Sequence, residues 1–101
     1  MDELRELQTW YASHRDGDWE HESAIQIYTL DNPGWAVDIA LTETELENVL
    51  FTEVNDVEPE RDWVMCRVQD GEWQGRGGPL MLTLILRHFL DWVATVQRPA
   101  V

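Results

Sequence analysis

The densest run of reactive side chains in this sequence is His14-Arg15-Asp16-Gly17-Asp18-Trp19-Glu20-His21-Glu22, which holds the residue types that acid–base or metal chemistry needs. His14, Asp18, His21 and Glu22 are the candidate ligands, but a metal site requires donors converging at a fixed geometry. No His-x3-His pair and no cysteine pair supports one, and His88 lies far along the chain. Beside a metal site, two further readings stand for the block. It is a turn carrying a solvated acidic run, or a recognition loop anchored by Trp19, with Asp16, Asp18, Glu20, His21 and Glu22 setting specificity.

Other chemistry finds less support. Ser13 and Ser23 have no Gly-x-Ser-x-Gly setting, so no nucleophile is marked. Gly75-Arg76-Gly77-Gly78 precedes a predicted helix and superficially resembles a phosphate cradle. It lacks the Lys-Ser/Thr of a P-loop and the spacing of a dinucleotide fingerprint, and reads as a flexible strand-to-helix connection. Cys66 is the single cysteine, so no internal disulfide forms, and it reads as a buried inert thiol. The expectation is a protein with no catalytic residues, no metal and no cofactor.

Charge and aromatic content point to recognition instead. The net charge is −13, with 20 acidic residues against 7 basic ones. Residues 43–62 hold Glu43, Glu45, Glu47, Glu53, Asp56, Glu58, Glu60 and Asp62 against Arg61 alone. Such acidity repels nucleic acid and anionic membranes and attracts a basic partner, a nuclease being one example. In this reading Glu58 and Glu60 steer association. Six tryptophans add rigid apolar area suited to cores and interfaces. At 11.8 kDa the chain is expected to form one domain over 1–101. The N-terminus lacks a signal-peptide pattern and residues 80–86 are too short to span a bilayer, so a cytoplasmic protein is expected.

The elements that must position these groups follow from periodicity. Residues 2–14 read as a helix with Leu4, Leu7 and Tyr11 on one stripe and Trp10 beside it, stopped by Gly17. Residues 24–30 and 35–41 alternate as strands around Asp31-Asn32-Pro33-Gly34, where Gly34 is expected to supply a positive φ. Thr42-Glu43-Thr44-Glu45 has the form of a capping box, so a short helical turn is expected there. Strands are expected at 48–54, at 63–68 and around Trp73, the last two joined by the Asp70-Gly71 turn. Pro79 opens a helix whose apolar face includes Leu82, Ile85, Leu86, Phe89, Val93 and Val96. The predicted fold is α+β, an antiparallel sheet of four to five strands with N- and C-terminal helices packed on one face. Trp10, Trp35 and Trp92 are assigned to the core. If Val64, Cys66 and Val68 face the helices, Trp63, Met65 and Arg67 share the opposite face with Tyr28 and Asp38. Trp63 is therefore a candidate contact residue.

Four blocks carry a family resemblance: Trp10-Tyr11, Asp16-Gly17-Asp18-Trp19-Glu20-His21, Thr29-Leu30-Asp31-Asn32-Pro33-Gly34-Trp35, and Phe89-Leu90-x-Trp92. Together they resemble immunity protein 53 of bacterial polymorphic toxin systems over nearly the whole chain. Where that family has a cysteine shortly before the Asp-Gly-Asp block, this chain has His14-Arg15, so no role of that cysteine carries over. The resemblance implies a small cytoplasmic protein that binds and neutralises a cognate toxin domain, protecting its producer and kin. Two other classes remain open on the residues alone. One is an enzyme or metal-dependent accessory protein centred on His14, Glu20 and His21, and the other is a regulatory or carbohydrate-binding module using exposed tryptophan rings.

Overall fold

Two turn signals organise the sheet. The computed structural model describes residues 2–14, 24–57 and 63–97. Their elements are α1 (Glu3–Ala12), β1 (Ile25–Leu30), β2 (Gly34–Ala40), β3 (Val54–Val57), β4 (Trp63–Gln69), β5 (Glu72–Gly77) and α2 (Leu82–Gln97). β1 and β2 form the expected hairpin, with Ile27 opposite Val37 and Ile25 opposite Ile39. β4 and β5 form a second one across Asp70-Gly71, whose φ values of 56° and 78° suit a tight two-residue turn. The strands are all antiparallel in the order β1-β2-β5-β4-β3, which makes β5 the central strand. α2 lies across β2, β4 and β5, and α1 packs against α2. The fold is α+β.

The core is an aromatic chain. Trp10 meets Phe89 with ring centroids 5.0 Å apart, Phe89 meets Trp73 at 5.2 Å, and Phe51 bridges Trp73 and Trp92 at 6.0 and 5.0 Å. The edge-on geometry of these pairs adds to the area they remove from water. Trp73 and Phe89 are fully buried, and Val37, Ile39, Leu46, Val64 and Ile85 are buried with them. Cys66 lies in the same layer, and burial pushes its thiol up to about 12, consistent with an inert side chain. Trp10 and Trp92 sit in the core as expected, and Trp35, half-buried, packs against that core and donates its indole N–H to the Pro79 carbonyl at 3.0 Å.

Several local expectations are corrected. Gly34 has no positive φ. The turn comprises Asp31, Asn32 and Pro33, with the Asn32–Pro33 peptide cis, and Gly34 opens β2. A Cβ on Gly34 would stand 2.3 Å from the Gly77 carbonyl oxygen, so close backbone approach is what requires glycine there. Gly75 and Gly77 belong to the central strand rather than a flexible connection. A Cβ on Gly75 would meet Ile85 Cγ2 at 2.5 Å and the Trp73 ring at 2.7 Å, so their bareness seats α2 on the sheet.

The third strand runs over Val54–Val57, because Leu46, Val49 and Phe51 turn inward under α2 instead of extending along the sheet. Residues 42–48 form successive turns with Glu43 and Asn48 at positive φ, and no helix. α1 ends at Ala12, where the Ser13 hydroxyl bonds the Trp10 carbonyl at 2.7 Å. The helix therefore stops ahead of Gly17, which lies outside the described residues. Its buried pair is Leu7 and Trp10, while Leu4 and Tyr11 stay exposed. α2 begins at Leu82, after Pro79 and Leu80 have formed a turn.

Candidate functional site

Both helices occupy one side of the sheet, so the residues that alternate with the core positions form a face that no other described element covers, the uncovered face. Register places Tyr28, Ala36, Arg76, Met65 and Asn55 in one row across five strands, and Gln26, Asp38, Gln74 and Arg67 in the next. Trp63, Met65 and Arg67 share this face with Tyr28 and Asp38, as the alternation of β4 predicts. Tyr28 and Met65 are about two-fifths exposed, and Trp63 is half-buried. The Trp63 ring reaches to within 3.4 Å of where a Gly34 Cβ would stand, so it lies toward β2 over the glycine floor.

The centre of the face is held by lateral polar contacts. Arg76 donates to Asp38 Oδ1 at 2.8 Å and to the Gly75 carbonyl at 2.9 Å, and its guanidinium carbon stands 5.8 Å from the Tyr28 ring centre. Tyr28 donates its hydroxyl proton to Asp38 Oδ2 at 2.8 Å. That bond, reinforced by partial desolvation, raises the Tyr28 phenol above its ordinary value. Beside this triad, Arg67 Nε–H donates to Gln74 Oε1 at 2.9 Å, and the Gln74 amide reaches Glu72 Oε1 at 3.4 Å. A groove between β3, β4 and β5 is lined by Glu53, Asn55, Met65, Arg67, Gln74 and Arg76, with Val54 and Cys66 at its base.

The acidic stretch divides into two parts. Glu43, Glu47, Glu53 and Asp56 are exposed, whereas Glu45 joins the two helices. Its carboxylate accepts from Trp10 Nε1–H at 3.1 Å and Gln97 Nε2–H at 2.8 Å, and bonds His14 Nε2. Burial by itself would raise the Glu45 carboxyl, but donors from Trp10, its own backbone, His14 and Gln97 outweigh it and hold the group below the ordinary carboxylate range. The capping-box residue has thus been taken by tertiary contacts.

Of the residues singled out in the sequence for partner contact, Asp16, Asp18, Trp19, Glu20, His21, Glu22, Glu58 and Glu60 lie outside the described residues, and Trp63 is placed on the uncovered face. Among the described residues no group of three His, Cys, Asp or Glu side chains is arranged to hold a metal ion. Arg76 and Gln74 were missed. Glu72, Gln74 and Arg76 alternate with Trp73, Gly75 and Gly77, but glycines at two inward positions hid the strand period.

No helix among the described residues is long and apolar enough to cross a membrane. A family profile described as immunity protein 53 matches residues 4–94. No curated protein and no solved structure matches the chain significantly.

Proposed function

The chain belongs to the immunity protein 53 family, and from that premise we propose that it neutralises a toxin by direct stoichiometric contact in the cytoplasm of the producing cell. The observation that carries the contact mode is the uncovered sheet face. It presents Tyr28, Trp63, Met65 and two arginines, residue types enriched in protein interfaces. Glu53 and Asp56 at the neighbouring edge, within a chain of net charge −13, suit a toxin whose own surface is basic. A nuclease fits that description, since carboxylates can occupy a groove built for phosphates. Asp16, Asp18, Trp19, Glu20, His21 and Glu22, with Glu58 and Glu60, remain part of the proposed contact set as sequence candidates.

The test is co-expression with the toxin domain encoded beside this gene. Growth should be rescued, and the two proteins should co-elute in equal amounts. A soluble, folded protein that fails to rescue and fails to co-elute would overturn the reading.

A further inference from the structure

We propose that Arg67 receives a carboxylate side chain of the partner toxin, so that the uncovered face contributes a cationic contact within an otherwise acidic interface. The inference rests on the neutralisation reading and specifies which chemistry the toxin must bring to this face. Four arginines are described: Arg5, Arg67, Arg76 and Arg87. Arg5 pairs with Asp2, Arg76 with Asp38, and Arg87 with Glu3, Glu6 and Asp91. Among the described residues, Arg67 has no carboxylate within 4.0 Å.

In a chain with 20 carboxylates, an arginine kept apart from all of the described ones is a selective feature. Arg67 is also oriented. Its Nε–H is fixed on Gln74, which is in turn tied to Glu72, and this leaves the terminal nitrogens of the guanidinium for a bidentate acceptor. The groove around it adds Met65 as an apolar contact and Asn55 as a polar one, while Arg76 across the groove is already neutralised by Asp38. Glu53 at the rim is a carboxylate of the same groove, and it disfavours a polyanion more than a single side-chain carboxylate. A toxin complementary to this face therefore carries an isolated Asp or Glu within its basic surface. Charge pairs of this kind act on partner choice as well as affinity.

The experiment measures binding of the neighbouring toxin domain, inactivated by substitution, to wild type, Arg67→Glu, Arg67→Ala and the helix-surface control Arg5→Glu. Thermal melts confirm folding of each variant. Arg67→Glu should weaken binding by about a hundredfold and Arg67→Ala by about tenfold, with Arg5→Glu within about twofold. Reversing the matching toxin carboxylate to Lys should restore binding to Arg67→Glu and not to wild type. Arg67→Glu binding within twofold of wild type would overturn this inference and leave neutralisation standing. Failure of the wild-type protein to bind would overturn the neutralisation reading and this inference with it.

Discussion

The two faces of the sheet are built from alternate residues of the same strands, yet they solve opposite problems. On the helix side Val37, Ile39, Trp73, Val64 and Cys66 are dry and nearly inaccessible, and α2 approaches so closely that Gly75 and Gly77 must lack side chains. On the other side Tyr28, Asp38 and Arg76 bond one another laterally, as do Gln74 and Arg67, with no covering element among the described residues. Burial drives the first face and is largely non-directional. Pairing holds the second, and its net contribution is small because water competes for the same bonds. A face arranged in this way can remain wet in the free protein while its side chains are already ordered for a partner, which lowers the entropy lost on binding.

The largest effects should fall on the helix side. Phe89→Ala removes the ring that links Trp10 to Trp73, and should cost about 3–5 kcal/mol of stability in urea unfolding. Gly75→Ala should cost about 1–3 kcal/mol, because the added methyl stands 2.5 Å from Ile85 Cγ2 and must push the helix or the Trp73 ring aside. Losses within ~0.5 kcal/mol for both variants, the range of surface positions, would erase the contrast between the faces.

The sequence made much of this contrast legible. Alternation in β1, β2 and β4 predicts Tyr28, Asp38, Trp63, Met65 and Arg67 on one side, which is where the register puts them. What escaped was set by tertiary contacts. Glycine at two inward positions of β5 imitates a linker, since a period-two pattern needs side chains to be seen. Residues 48–54 have strand-like composition, but Phe51 is drawn into the gap between Trp73 and Trp92, and Trp92 bonds the Leu50 carbonyl at 3.0 Å. Glu45 matched a local cap and was claimed by Trp10, His14 and Gln97, residues from elements that local spacing cannot relate.

A smaller effect is expected at the centre of the uncovered face. Asp38→Ala leaves Arg76 without its carboxylate and Tyr28 without its acceptor, at about 1–3 kcal/mol. Tyr28→Phe removes the bond donated to Asp38 and the longer one accepted from Arg76, and should cost about 1 kcal/mol. A double-mutant cycle between these positions should show coupling, since both losses act on one network. Additive losses would mean that the face is a collection of independent surface groups, and the argument for pre-ordering would fail.

The smallest of these effects is visible only against pH, and it sets a carboxylate on the helix side against the polar network opposite. Glu45 is opposed by burial, but its donors from Trp10, its backbone, His14 and Gln97 dominate and hold it below the ordinary carboxylate value of 4.5. A carboxyl lowered in the folded state binds protons more readily when unfolded, so acid favours the unfolded chain. Its contribution is therefore complete above about pH 4.5 and is lost as pH falls through the lower, folded-state value. Glu45→Gln keeps the shape and removes the titration. Its stability should lie below wild type at neutral pH, and the difference should close on acidification below about pH 4.5, as read from urea midpoints between pH 7 and pH 3. A difference that stays constant over that range would show that Glu45 contributes through packing alone. The Glu45 contacts would then be indifferent to charge, and the ion pairs of Arg87 with Glu3 and Glu6 would carry the electrostatic link between α1 and α2.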